Sequence, residues 1–148
     1  MRIRDVMTES VVTAQPDASV QEVANLMRER NVGSVVIGRG EEPEAFVTDR
    51  DLTISVLADG RGGSDRAVDH ASSPVITGRA DMEVEEAAEL MVRHGVRRLV
   101  VVDDDRLTGI VTLDDLVARI GDLDVVASIT AQVTRAALPN FYFHERGG

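Results

Sequence analysis

The feature that most constrains this chain is a repeat. Shifted by 64 residues, the sequence aligns with itself without a gap, with 15 identities over the 51 positions from Asp5 to Ser55. Asp5 falls on Asp69, Thr13 on Thr77, Glu22 on Glu86, Leu26–Met27 on Leu90–Met91 and Asp51–Leu52 on Asp115–Leu116. Many other positions exchange one apolar residue for another, as Val12 for Ile76 and Phe46 for Ile110. A chain built from two copies of one unit must pack in a way both copies tolerate. We read 1–60 as the first repeat, 61–66 as a Gly/Ser/Asp-rich linker, 67–121 as the second repeat, and 122–148 as a C-terminal helix and tail.

Each copy carries the same hydrophobic pattern. A short apolar strand (Val11–Ala14; Val75–Thr77) precedes a segment with apolar residues at helical spacing: Val20, Val23, Ala24, Met27, and Val84, Ala87, Ala88, Met91. Ser19 with Glu22 fits a capping box. Two strands follow, Ser34–Ile37 with Ala45–Val47 and Leu99–Val102 with Gly109–Val111, joined by polar loops GRGEEPE and DDDRLT. Helices over about Asp49–Leu57 and Leu113–Ile120 close the copies. The fold class is therefore α/β (α+β), two β-α-β-β-α repeats plus a C-terminal helix over about Asp122–Leu138, stopped by Pro139 and followed by the tail FYFHERGG. A unit of about 55 residues is marginal alone. Two units related by a pseudo-twofold can cover each other's sheets, which predicts two clefts at the seam.

Composition removes several chemistries. There is no cysteine, and all 16 basic residues are arginine. Thiol catalysis, cysteine metal sites, a Walker-type phosphate lysine and lysine Schiff bases are thereby excluded. A net charge of −10 disfavours nucleic acid polymers and anionic membranes. With no signal-like run or apolar span, the chain reads as soluble and cytoplasmic. His70, His94 and His144 lack a mutual metal-ligand spacing, and no Ser/His/Asp spacing supports a triad, so neither a metal site nor an enzyme is expected. Asp103–Asp105 reads as a solvated hairpin turn, and GRGGS at Gly60–Ser64 as linker rather than phosphate loop.

The chemistry-bearing motif stands at the end of the third strand of each copy. Phe46-Val47-Thr48-Asp49-Arg50-Asp51-Leu52 and Ile110-Val111-Thr112-Leu113-Asp114-Asp115-Leu116 both follow h-h-T-x-x-D-h. Alone, T-x-x-D is a helix N-cap with an acid suited to the helix dipole. The same geometry places a hydroxyl and a two-oxygen acceptor at an open helix end, which suits a phosphate or sugar oxygen and the paired hydroxyls of a ribose.

The gapless repeat and the two motifs, with NVGSVVI at Asn31–Ile37 and GVRRLVVVD at Gly95–Asp103, resemble a tandem pair of CBS domains, a Bateman module, over about residues 3–121. The resemblance implies a regulatory module for AMP, ADP or ATP, or for S-adenosylmethionine, and a homodimer in which two pairs form a flat disc. It implies that Asp51 and Asp115 hold ribose and that Thr48 and Thr112 contact ribose or phosphate. It implies base pockets at Val32, Gly33, Ser34 and at Val96, Arg97, Arg98, with contributions from Val12, Thr13 and from Ile76, Thr77. Arg50, Arg97 and Arg98 are the candidate phosphate cations, since arginine suits bidentate phosphate contact. Mg²⁺ would enter only with ATP; no other cofactor is implied, and the regulated protein partner is not named by the sequence. Ala45 and Val100 stand where the family usually has glycine and proline. A ligand-free dimerisation or protein-interaction module is the alternative, because the motif doubles as a cap.

Overall fold

The structure is a computed structural model that describes residues 1–73 and 75–137. The expected helix stop at Pro139, the tail and His144 lie outside the described residues. The elements are β1 (Thr13–Ala14), α1 (Val20–Arg30), β2 (Ser34–Arg39), β3 (Glu42–Thr48), α2 (Asp49–Asp51, continued as a π-helix over Leu52–Leu57), β4 (Thr77–Arg79), α3 (Val84–His94), β5 (Arg98–Asp103), β6 (Arg106–Thr112), α4 (Leu113–Arg119) and α5 (Leu123–Ala137). Single 3₁₀ turns stand at Ile3–Asp5 and Ala67–His70.

The chain forms two compact units. The first is Ser10–Ile76 with Asp104–Leu107; the second is Met1–Glu9, Thr77–Asp103 and the described residues from Thr108 on. In the first, β1 lies parallel to β2 and β3 antiparallel to it, with Thr13 beside Val36 and Val36 beside Phe46. In the second, β4 is parallel to β5, with Thr77 beside Val100, and β6 completes the sheet order β4-β5-β6.

The helices form where the sequence spacing puts them. Ser19 caps α1: its hydroxyl accepts the Glu22 N–H at 3.1 Å, and the Glu22 carboxylate accepts the Ser19 N–H at 2.9 Å. Val20, Val23 and Met27 then face Val35, Ile37 and Val47 in one core. Each such side chain contributes about 1.5–3 kcal/mol when fully buried. In the second unit Val84, Ala87, Ala88 and Met91 are the buried face of α3, and α5 packs on the same helix. α3 ends on Gly95 in the left-handed conformation (φ 62°), where an added Cβ would stand 3.1 Å from the Ala136 carbonyl of α5. Asn31 takes the same conformation after α1 (φ 53°).

The hairpins differ from the sequence expectation. The loops GRGEEPE and DDDRLT contract to two-residue turns, Gly40–Glu41 and Asp104–Asp105, and β3 and β6 begin at Glu42 and Arg106. Asp104 and Asp105 both have positive φ (48° and 63°), the backbone a tight hairpin needs. Polar residues on the strand arms read as loop in the sequence, because they lack apolar alternation. A bulge follows Ile37, and Gly38 is required there: a Cβ would meet the Glu42 carbonyl.

Each unit also takes a leading segment from the other repeat. In the second unit Thr8 bridges Ile110; in the first, Ser72 bridges Phe46. These bridges correspond under the 64-residue shift. Ile3 (1% exposed) and Ala67 (0%) are the buried residues of the two corresponding 3₁₀ turns.

Candidate functional site

Both sheets end in a capping box built from the motif. In the first unit Thr48 has extended backbone (φ −114°, ψ 163°), which turns the chain out of β3 into the helix. Its Oγ1 accepts the Asp51 N–H at 3.1 Å, and Asp51 Oδ2 accepts the Thr48 N–H at 2.9 Å. In the second unit Thr112 Oγ1 accepts the Asp115 N–H at 3.2 Å and donates to Asp115 Oδ2 at 3.0 Å, which also accepts the Thr112 N–H at 2.9 Å. The box engages Oδ2 in both copies, and Oδ1 takes no part in it. Both aspartates are half-buried.

Some of the sequence candidates adjoin these corners through the backbone. Ser34 opposes Thr48 in the sheet, and the Gly33 carbonyl accepts the Asp49 N–H at 3.0 Å. The Arg97 carbonyl accepts the Leu113 N–H at 2.9 Å in the corresponding way. Val32, Gly33 and Ser34 are half-buried at the start of β2; Val96 is half-buried, and Arg97 and Arg98 are exposed at the start of β5. Thr13 and Thr77 are exposed at the ends of the parallel strands beside Val36 and Val100. Val12, whose carbonyl accepts the Val36 N–H at 3.0 Å, is half-buried, as is Ile76 just before β4. Arg50 is exposed at the start of α2.

The corners differ in charge. Where the second unit has Arg97 and the buried Leu113 (2% exposed), the first has Gly33 and Asp49. The Asp49 carboxylate lies so close to Gly33 that a Cβ there would stand 3.2 Å from Oδ2. Arg97 approaches Asp114 at 3.9 Å with both side chains exposed, a pairing worth well under about 1 kcal/mol.

Two open grooves of about 400 Å³ each lie elsewhere. One, in the first unit, includes Ala14, Asp17, Glu22 and Leu26; the other, between α3 and α5, includes Glu85, Val92, Asp124 and Ile129. Neither includes a motif residue, and both have acidic rims. The capping corners carry the chemical argument, because each joins a threonine hydroxyl and an aspartate carboxylate at the end of a sheet. Among the described residues no group of three or more His, Cys, Asp or Glu side chains could hold a metal ion, and no helix is long and apolar enough to cross a membrane.

One constellation escaped the sequence reading. Ser55 Oγ lies 2.6 Å from His70 Nδ1, and His70 Nε2 lies 3.0 Å from Asp65 Oδ2, which also accepts from Arg61 Nη1 at 3.0 Å. The hydrogen bond from His70, and then that from Arg61, hold the Asp65 carboxyl below the usual carboxylate range. A Ser–His–Asp set invites a hydrolytic reading, but the His70 side chain is only 5% exposed and neither groove includes any of the three. One sequence signal was available: under the 64-residue shift, His70 falls on Val6, a core position.

The family model described as CBS domain matches residues 3–57 and 67–122. The chain is similar to the CBS domain-containing protein YhcV of Bacillus subtilis, 37% identical over 114 residues that span 77% of this chain and 81% of that protein. Among solved structures it is similar to the CBS domain protein PAE2072 from Pyrobaculum aerophilum complexed with AMP, at TM-score 0.76 and 27% identity, covering 88% of this chain and 99% of that one. It is also similar to a hexameric CBS-CP12 protein from bloom-forming cyanobacteria, at TM-score 0.71 and 26% identity, covering 88% of this chain and 81% of that one.

Proposed function

The chain belongs to the CBS domain family, and we propose that it binds an adenine nucleotide at each Thr-x-x-Asp corner and signals by a change of conformation or oligomeric state. CBS-domain proteins are regulatory modules, and stand-alone members are generally regulatory rather than catalytic. The observation that carries the nucleotide reading is the pair of capping boxes, each using one aspartate oxygen and leaving the other out of the box. That oxygen, on Asp51 or Asp115, accepts from the ribose hydroxyls, a charge-assisted bond worth about 1.5–3 kcal/mol. Thr48 and Thr112 meet the ribose or phosphate. Val12, Thr13, Val32, Gly33 and Ser34 receive the base at the first corner; Ile76, Thr77 and Val96 receive it at the second. Arg97 and Arg98 at the second corner, and Arg50 at the first, attract phosphate. AMP bound to a relative supports this ligand class. Mg²⁺ accompanies ATP only. We place the protein in the cytoplasm as a homodimer whose ligand state is read by a protein partner.

A second reading concerns the first corner alone. The Asp49 carboxylate against Gly33 adds negative charge where the second corner has arginine, which favours the sulfonium of S-adenosylmethionine over a bare phosphate.

Calorimetry with AMP, ADP, ATP and S-adenosylmethionine tests both. The expected result is AMP binding well below millimolar. If none of the four binds below about 1 mM, roughly −4 kcal/mol, the sensor reading fails. A melting temperature indifferent to all four would then favour a ligand-free interaction module.

A further inference from the structure

The two repeats supply their leading segments to corresponding places, yet one residue there changes character. In the second unit the segment presents Val6, 1% exposed. In the first it presents His70, whose side chain is 5% exposed. A buried polar ring is costly unless its nitrogens are bonded, whereas valine needs nothing. Both His70 nitrogens are bonded. Asp65 accepts from Nε2, and in the neutral ring Nδ1 accepts from the Ser55 hydroxyl.

The far end of this chain of bonds is anchored. Asp65 is held by Arg61, and its carbonyl accepts the Val20 N–H at 2.8 Å at the start of α1. The near end lies on the helix of the first motif. Ser55 stands four residues beyond Asp51, one turn along the same helix. That helix is also the unusual one. Ala58 N–H bonds to the Thr53 carbonyl at 2.9 Å and Arg61 N–H to Val56 at 2.8 Å, both five residues back, while α4 after the second motif is an ordinary α-helix. Short π segments are rare and often stand at functional sites.

We propose that His70 is a positioning residue of the first corner. By holding Ser55 against the Asp65 anchor, it fixes the π-wound helix and hence the direction of the Asp51 carboxylate. The proposal rests on the nucleotide reading for its consequence, but not for its physical content. At the second corner the corresponding residue, Arg119 of α4, reaches its leading segment only by a long, exposed bond to the Asp5 carbonyl at 3.5 Å, so the two corners differ in how firmly the ribose acceptor is preorganised.

The test uses His70→Val, which installs the residue of the other copy, with His70→Asn, which keeps an acceptor for Ser55, and Ser55→Ala as a second break in the tether. Each is made in an Asp115→Ala background, so that AMP titration reads the first corner. Amide hydrogen exchange over residues 51–58 is measured on the same proteins without ligand. In His70→Val and Ser55→Ala we expect exchange about tenfold faster over 51–58, unchanged exchange in α4, and AMP affinity about tenfold weaker. His70→Asn, which keeps the acceptor for Ser55 but not the bond to Asp65, should fall between His70→Val and the parent in both. Parental exchange in His70→Val and Ser55→Ala overturns the positioning role whether or not nucleotide binds. Faster exchange with parental AMP affinity overturns its connection to the site. If the parent binds no AMP at all, the nucleotide reading falls separately, and the exchange data alone decide whether His70 holds the helix.

Discussion

Where a leading segment crosses a sheet, the two units solve the same packing problem with different residues. In the second unit Met7 passes over Gly109: a Cβ there would stand 2.7 Å from Met7 Sδ and 2.9 Å from the Thr8 carbonyl. In the first unit the corresponding residues are Ala71 and Ala45, and Ala45 is buried beneath with its Cβ in place. One copy has large over none; the other has small over small. Ala45, which departs from the family's usual glycine, is thus matched by Ala71 rather than being a defect of the first corner. Volume is shared between two positions 64 or so residues from their counterparts, and neither can be interpreted alone.

That comparison can be broken most forcefully at Gly109. Gly109→Ala should destabilise by about 1–3 kcal/mol in denaturant unfolding, since the Thr8 carbonyl is backbone and cannot swing aside. Adding Met7→Ala recreates the first unit's pairing and should recover a measurable part, a coupling of at least about 0.5 kcal/mol. Strict additivity would show that the two positions do not share one space.

The caps offer the next contrast. Thr48→Ala and Thr112→Ala should each cost about 1 kcal/mol. The second should cost more, because Thr112 also donates to Asp115 at 3.0 Å. Equal losses in thermal melts would deny that asymmetry. A smaller effect is expected from charge. Arg97→Ala with Arg98→Ala should lower the preference for AMP over adenosine at the second corner by about 1 kcal/mol and leave the first corner's preference unchanged, as titrations of single-corner variants would reveal. The smallest effect is on the acid side. The Asp65 carboxyl is held below its ordinary value, so its contribution to stability is complete above about pH 4 and is lost as pH falls through the depressed native value. Asp65→Asn should remove that part of the acid dependence, and an unchanged acid profile would contradict it.

Much of this was legible in the sequence. The repeat, both first helices and both capping boxes follow from apolar spacing and from Thr-x-x-Asp, whose signals lie within a few residues of one another. Glu42–Glu44 reads as loop because a polar strand arm has no apolar alternation to mark it. The π winding of Leu52–Leu57 was invisible, since the same residues suit an α-helix and tertiary contacts choose between them. Nor could self-similarity show which copy's sheet receives Met1–Glu9, because the repeat is symmetric under that exchange. The Ser55–His70–Asp65 bonds depend on that exchange-related segment, and only the mismatch of His70 with Val6 hinted at them.

The most direct measurement is AMP calorimetry on the parent, Asp51→Ala, Asp115→Ala and the double variant, each first confirmed folded by its melt. The account predicts two sites in the parent, one in each single variant and none in the double, with each lost site weakened by at least about tenfold. Parental affinity and stoichiometry in the double variant would contradict it.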